Sequence, residues 1–360
     1  MISFALKEII LFMPNVVKGK FAVLKKINSN LALLDLKIPN LKNGQVLVKL
    51  HYSFICGSQM NEWLGRKGKD QFIPHTLGHE ASGKIIKIGK GVNKFKDGDN
   101  VFISWIKNKK MYEEKIQYIY NQDIVNSGPV STFSKYSIIS ENRIYKLPSK
   151  YPLKNAALFG CAFPTGVGLA KKTIKLLIKK NETICVFGVG GIGLITILTL
   201  KYFGYQNIIA IDKNSTNLKY AKFLGASKNL DLNSFKSQIR SKKINKDSIK
   251  LNIEASGNKI MMESAYKFLS ANGTCLIAGN IKLNQNIKIN PYDIIFGKKL
   301  LGTIGGDIDI KKNLRLFMKL IKSNNKIKYI FLKKIYKLEN INKAFIDFKN
   351  GITTRPLIKL

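Results

Sequence analysis

Gly188-Val189-Gly190-Gly191-Ile192-Gly193 is the stretch whose residue types and spacing carry the clearest chemistry. A short apolar run, Thr183 to Phe187, precedes it and reads as a buried parallel strand. A longer run, Leu194 to Phe203, follows and reads as a helix that Gly204 ends. Gly188 permits a tight turn, Gly190 lets backbone approach a pyrophosphate, and Gly193 lets the helix lie close to the strand. The first N–H groups of that helix, at the positive end of its dipole, then face the phosphates. A second strand, Asn207 to Ile211, ends in Asp212, 19 residues beyond Gly193. A carboxylate there accepts hydrogen bonds from ribose hydroxyls and disfavours a 2′-phosphate. The spacing therefore implies a bound dinucleotide, NAD in preference to NADP, with Lys213 pulling the other way. The candidate contacts are Gly188, Gly190, Gly191, Gly193 and Asp212.

Cys56, His79 and Cys161 form a second constellation. Singly, each has a plain explanation: free cysteines pack as small apolar groups, and a lone histidine is more often structural than a ligand. In their contexts, Ile55-Cys56-Gly57-Ser58, Gly78-His79-Glu80 and Phe159-Gly160-Cys161, two thiolates and one imidazole would suit a zinc ion and leave its fourth position open, as a catalytic site requires.

The elements that must position these groups follow from pattern. Phe21 to Leu24, Leu31 to Leu36 and Val46 to Tyr52 read as strands. Ile55 to Met60 reads as a loop, with a short helical piece near Glu62. Strands are expected at Lys84 to Ile88, Val101 to Trp105, Phe133 to Ser140 and Asn142 to Leu147. Residues 106–131 are polar and lysine-rich and read as an irregular surface excursion. From Leu153 to Lys180 the pattern is helical, interrupted over Cys161 to Thr165. Beyond Asp212 come strands at Ile249 to Glu254, Gly273 to Ala278 and Leu300 to Ile304. A helix over Lys311 to Lys322, a strand near Ile330, a helix over Leu338 to Lys349 and a strand over Pro356 to Leu360 complete the chain. Three segments result: 1–162, a mainly-β first part; 163–302, a doubly wound dinucleotide-binding unit; and 303–360, which rejoins the first. The binding site is expected in the cleft between the two units, at the carboxyl ends of the parallel strands.

Composition bounds the rest. The formal net charge of +39 invites a polyanion-binding reading. Only Arg66, Arg143, Arg240, Arg315 and Arg355 among the 61 basic residues are arginine, however, and the lysines are spread over every segment. Readers of phosphate and base edges lean on the arginine fork, so a composition bias explains the charge better than specific nucleic-acid binding. Cys56, Cys161, Cys185 and Cys275 show no disulfide spacing, and nothing resembles a secretory signal. A reducing, cytoplasmic setting is expected. Residues 1–18 precede the first strand and read as a docking extension or a mistaken start. Ile184 to Leu200 carries no charge, but with 17 residues including four glycines it is a poor membrane span.

Several motifs in one order give the chain a family resemblance. They are Cys56-Gly57-Ser58, Gly78-His79-Glu80 with Gly83, Gly98-Asp99, Cys161 with Thr165-Gly166, Gly188 to Gly193 with Asp212, and Asn342-Lys343-Ala344-Phe345 with Arg355-Pro356. Across about residues 20–360 the chain resembles the zinc-dependent alcohol dehydrogenases of the medium-chain dehydrogenase/reductase superfamily. The resemblance implies an α/β fold in which a Rossmann-type parallel sheet is inserted in a GroES-like, mainly-β catalytic domain. It implies that Cys56, His79 and Cys161 hold the catalytic zinc, with Glu80 behind it and able to approach it. It implies that Ser58 bonds the substrate oxygen and starts a proton relay, that Thr165 lies beside the nicotinamide, and that Arg355 reaches the pyrophosphate. The expected activity is hydride transfer between an alcohol and NAD, with an alcohol, aldehyde or ketone as small-molecule partner, in a homodimer or homotetramer away from membranes. The alternatives are a zinc-free reductase of activated alkenes or quinones on the same fold, and a non-catalytic polyanion binder.

Three departures qualify the resemblance. Gln59 stands where relatives often place an acid bonded to the ligand histidine; an amide accepts the same bond but raises imidazole basicity less. Asn61 stands where some relatives carry a relay histidine. Residues 100–135 contain no cysteine or histidine, so one zinc per chain and no structural zinc is expected.

Overall fold

Short strands dominate the first 150 residues of the computed structural model, which describes residues 18–107, 115–176 and 179–360. They are Lys18–Leu24 (β1), Ala32–Lys37 (β2), Gln45–Phe54 (β3), His75–Thr76 (β4), Glu80–Ile88 (β5), Asn100–Ser104 (β6), Gln117–Tyr120 (β7), Asp123–Ser127 (β8), Tyr136–Ser140 (β9) and Ile144–Lys146 (β10). One set, in the order β1-β2-β7-β8-β4, closes into a small barrel. A second sheet runs β10-β6-β5-β3, with β9 also paired to β3. Alternation decides which face is buried: along β3, Val46, Val48 and Leu50 pack against Ala81, Ile85 and Val101 of the neighbouring strands. The extension expected over residues 1–18 lies outside the described residues except for Lys18, where β1 begins.

Residues 106–131 depart from the sequence expectation. Within the described part, β7 and β8 form an antiparallel hairpin, turned at Asn121 in the left-handed region (φ 54°). Tyr118 is fully buried, its ring centre 4.5 Å from that of Phe21, and its hydroxyl accepts the Ile138 N–H at 3.2 Å. The hairpin thus completes the barrel wall. Its outward-facing Ile119 and Ile124 blur the alternation that Tyr118 and Val125 carry inward. The boundaries shift elsewhere too. Strand β5 begins at Glu80 and not at Lys84, and the helix expected near Glu62 begins at Gly57. Ala162 to Thr165 belong to a helix, Ala162–Leu176, which tolerates Pro164 because its first turn needs no donor there.

The second unit is a parallel sheet in the order β13-β12-β11-β14-β15-β16. Its strands are Thr183–Phe187 (β11), Ile208–Ile211 (β12), Lys228–Leu230 (β13), Ile249–Glu254 (β14), Thr274–Ile277 (β15) and Lys299–Gly302 (β16). Strands β11 and β12 are apolar on both faces because helices cover both, as parallel sheets require. Strand β13, with the mixed sequence Lys228-Asn229-Leu230, gives no periodic signal in the sequence.

After β16 the helix Ile310–Lys322 packs its buried Phe317 against Phe163 and Phe159, ring centres 5.7 Å apart in both cases. Full burial of one such ring contributes about 1.5–3 kcal/mol. The segment expected as a strand near Ile330 is a helix, Asn325–Leu332, because Asn324 caps it through its side-chain oxygen at 3.0 Å from Lys326 N. The strand lies later, at Ile335–Lys337 (β17). A last strand, Leu357–Lys359 (β18), pairs antiparallel with β3, so the chain returns to the second sheet of the first unit. That return brings Arg355 back beside residues of the first 160.

Candidate active site

Three different elements bring Cys56, His79 and Cys161 together. Cys56 precedes the helix Gly57–Trp63 and takes the N-cap position with extended backbone angles. His79 stands just ahead of β5, and Cys161 sits between a 3-10 turn, Ala157–Gly160, and the helix Ala162–Leu176. Their ligand atoms all lie within 4.8 Å of one another. The sulfurs of Cys56 and Cys161 are 3.8 Å apart, and both residues are buried, at 6 % and 4 % exposure. Two thiolates at about 2.3 Å from a tetrahedral zinc stand about 3.8 Å apart, so the spacing fits that ion. His79 Nε2 is a buried nitrogen with no partner, an arrangement that costs free energy unless something occupies the lone pair or takes the proton.

The electrostatics agree with a shared cation. The hydrogen bond between the two sulfurs holds the Cys56 thiol well below its usual range, helped by Arg355 and His79, and holds Cys161 well above.

His79 Nδ1 faces two groups. Gln59 Nε2 lies 2.5 Å away and Ser58 Oγ 3.2 Å away. Gln59 presents its nitrogen because Oε1 accepts the Cys56 N–H at 3.3 Å. This amends the expectation that the amide would accept from the ring. A ring that binds metal through Nε2 carries its proton on Nδ1, which then needs an acceptor. Ser58 Oγ is placed to accept it; Gln59 does so only by turning over, at the cost of its bond to Cys56 N.

Behind this trio, Glu80 and Arg355 form a buried ion pair from Nη2 to Oε1. Burial raises the Glu80 carboxyl, and Glu80 Oε2 has no partner. Burial alone would lower Arg355, but the Glu80 carboxylate and the two cysteine sulfurs together more than offset it and keep the guanidinium charged. Arg355 also reaches the fingerprint: a Cβ at Gly191 would sit 3.1 Å from its Nη1. One residue therefore touches both halves of the cleft.

The fingerprint itself folds as its glycines demand. Gly190 takes the N-cap of the helix Gly191–Tyr202, and a Cβ there would meet nothing within 4 Å, which leaves room for a ligand. A Cβ at Gly193 would collide with the Gly188 carbonyl, so only glycine allows the helix to lie this close. Asp212 ends β12 with Oδ2 accepting from Val189 N and Oδ1 from Asn214 N, each at 2.8 Å. Both oxygens keep a lone pair for a ribose. Thr165 is buried, and its hydroxyl donates to the Cys161 carbonyl at 2.8 Å. It steadies Cys161, a role that the expectation of a place beside the nicotinamide did not include.

Three further features were missed in the sequence. Trp105 flanks His79 with ring centres 6.3 Å apart. Glu62, Asp70 and His75 gather into an ion-pair knot, with His75 Nε2 2.8 Å from Asp70 Oδ2. Glu254 is a fully buried carboxylate at the end of β14. The only sequence signal for Glu254 was an acid closing an apolar strand ahead of Ser256-Gly257.

The chain is similar to known proteins over nearly all its length. Residues 42–149 match the family described as alcohol dehydrogenase GroES-like domain, and residues 191–323 match the family described as zinc-binding dehydrogenase. Alcohol dehydrogenase 6 of Peromyscus maniculatus is 28 % identical over 373 aligned positions, covering 95 % of this chain and 98 % of that protein. The crystal structure of benzyl alcohol dehydrogenase from Acinetobacter calcoaceticus superposes with a TM-score of 0.83 at 24 % identity, over 96 % of this chain and all of that one. A zinc-binding dehydrogenase of Sinorhizobium meliloti, solved with NADP, gives a TM-score of 0.74 at 18 % identity, over 96 % and 100 % of the two chains.

Proposed function

The chain belongs to the zinc-dependent alcohol dehydrogenase family of the medium-chain dehydrogenase/reductase superfamily, and from that membership we propose that it transfers hydride between an alcohol and NAD at one zinc per chain. It is an oxidoreductase of the alcohol dehydrogenase type acting on small molecules. The finer reading rests on one observation: two buried sulfurs 3.8 Å apart beside an unpartnered imidazole nitrogen. Cys56, His79 and Cys161 would hold the zinc. When bound, zinc supplies the Lewis acidity that lowers the pKa of an alcohol hydroxyl or polarises a carbonyl, and NAD supplies the hydride acceptor.

The protein's own groups do the rest. Ser58 Oγ takes the substrate proton and passes its own outward. Ser58 and Gln59 fix the His79 ring. The Glu80–Arg355 pair keeps the charge behind the ligands balanced, with Glu80 free to move toward the ligands through Oε2. The amides opening the helix Gly191–Tyr202 and the Arg355 guanidinium face the pyrophosphate, and Asp212 takes the ribose hydroxyls. The four cysteines are free thiols, which suits a reducing compartment such as the cytoplasm. Among the described residues no helix is long and apolar enough to cross a membrane.

The test is NAD reduction across a panel of simple alcohols, polyols and the formaldehyde–glutathione adduct, with zinc content measured on the same sample. No turnover on any of them by a zinc-loaded protein would overturn the reading.

Cofactor choice gives a further expected result. With Asp212 replaced by Gly, the repulsion of a 2′-phosphate disappears while Lys213 stays, so the ratio of kcat/KM for NADP over NAD should rise on the order of 10–100-fold. A wild type that already uses both cofactors equally would show that Lys213 outweighs Asp212.

Assembly gives another. Strand β16 is exposed along its length, and the helix before it, Pro291–Ile295, presents Tyr292, Ile294 and Ile295 to solvent. An uncovered, partly apolar edge invites pairing with a second copy. Light scattering should give the wild type a mass of at least twice 40.6 kDa, and Leu301→Asp should lower it to that value. A monomeric wild type would refute the assembly.

A further inference from the structure

We propose that Glu254 is a positioning residue for the cofactor, its buried carboxylate bracing the loop that follows β14, which packs against the fingerprint turn that follows β11. The proposal rests on the dinucleotide-binding reading of that turn. Glu254 is the last residue of β14, in register with Phe187 of β11 and Ile277 of β15. All three strands end where an open parallel sheet receives its ligand.

The side chain is fully buried and carries a dense set of bonds. Oε1 accepts from Ser256 N at 2.8 Å and from Gly257 N at 3.1 Å, and also from Ser256 Oγ. The backbone carbonyl of the same residue accepts from Ala278 N and Gly279 N of the next loop, at 2.8 and 3.2 Å. Ser256 is then pressed against the fingerprint: a Cβ at Gly188 would lie 2.6 Å from Ser256 Cα. Gly257 is pressed in the same way on the Asn280 carbonyl, and Gly279 on Glu254 Oε2, where any side chain would collide. Ser256 Oγ passes the order onward by accepting from Asn258 N at 3.0 Å, and Asn258 caps the helix Lys259–Lys267. One carboxylate therefore holds the turn that Gly188 rests on.

Keeping it there is costly. Burial pushes the Glu254 carboxyl up to about 7, and Oε2 has no partner. Packing alone would be met by an apolar residue, but an apolar residue leaves the Ser256 and Gly257 N–H groups without an acceptor. An acceptor at the Oε1 position is the feature the loops need, and glutamine supplies it without charge.

The experiment uses zinc-loaded full-length protein and compares wild type, Glu254→Ala, Glu254→Gln and Ser256→Ala. NADH affinity is read by fluorescence titration, kcat at saturating cofactor by turnover, and zinc by elemental analysis. Glu254→Ala should weaken NADH binding about 10–100-fold, the scale for a displaced binding loop, with zinc content and saturated kcat nearly unchanged. Glu254→Gln should restore affinity to within about 3-fold of wild type, since it keeps the acceptor. Ser256→Ala removes one donor and should weaken binding by a smaller factor; it decides the matter if Glu254→Ala does not fold. Wild-type affinity in the alanine variants, or a glutamine variant as weak as the alanine one, would overturn the proposal. A wild type that binds neither NADH nor NADPH would instead overturn the dinucleotide reading on which it rests.

Discussion

Cys56→Ala and Cys161→Ala should each lose zinc and turnover together while binding NAD nearly as well as wild type. The wild type should carry one zinc per chain. The expectation follows from the composition of the trio. With three protein ligands, losing one thiolate leaves one sulfur and one imidazole, too few for a site whose fourth position must stay open for substrate. The cavity left behind is not neutral either. Glu80 Oε2 and His79 Nε2 are already without partners, and removing a sulfur takes away one of the polar groups gathered around the imidazole. Cofactor binding should survive, because on the proposed reading its contacts come from β11, the helix Gly191–Tyr202 and Asp212. Arg355 and Thr165 link the two halves, so a small loss of NAD affinity is expected through them. Elemental analysis and NADH titration of the same preparations measure both quantities. A wild type holding about two zinc ions, or a Cys161→Ala protein that keeps both metal and activity, would refute the assignment.

The two halves of the site were legible to different degrees. The fingerprint could be read from the sequence because its logic is local: Gly188, Gly193 and Asp212 lie within one β-α-β unit, and each answers a steric or charge demand made by its near neighbours. The trio could not be derived in that way. Cys56 and Cys161 are 105 residues apart, and only their place among family motifs joined them before the structure did. Orientation was invisible as well. That Gln59 turns its nitrogen toward His79 follows from a bond to Cys56 N, and no sequence pattern encodes it. Glu254 escaped because its partners are backbone N–H groups, which every residue carries. The β7–β8 hairpin escaped because Ile119 and Ile124 face outward and blur its alternation, and the helix Asn325–Leu332 reads as a strand because its isoleucines favour strands until Asn324 caps it.

Ser58→Ala should keep its zinc and its NAD affinity and lose turnover on the order of 10²–10⁴-fold, the scale of a general acid–base group and about 3–5 kcal/mol of barrier. Oxidation of an alcohol needs its proton to leave before or with the hydride, and a hydroxyl beside the site accepts that proton only by passing its own onward. Ser58 Oγ lies 3.2 Å from His79 Nδ1, within reach of the trio, and is the hydroxyl proposed for this step. Asn61 cannot take over, because its amide nitrogen reaches across the cleft to the Asn280 carbonyl, and an amide has no proton to relay at neutral pH. Ser58 also faces His79, so its loss could act through the ligand ring. Zinc content separates the two effects: a relay mutant holds its metal, whereas a mutant with a misoriented histidine loses it. The pH profile provides a second separation. Without the relay, hydroxide or solvent must take the proton directly, so the residual rate should climb more steeply with pH than in wild type. A Ser58→Ala enzyme with unchanged turnover and an unchanged profile would show that the proton leaves by another route, with Glu80 through its unpartnered Oε2 or bulk water as the next candidates to replace and test.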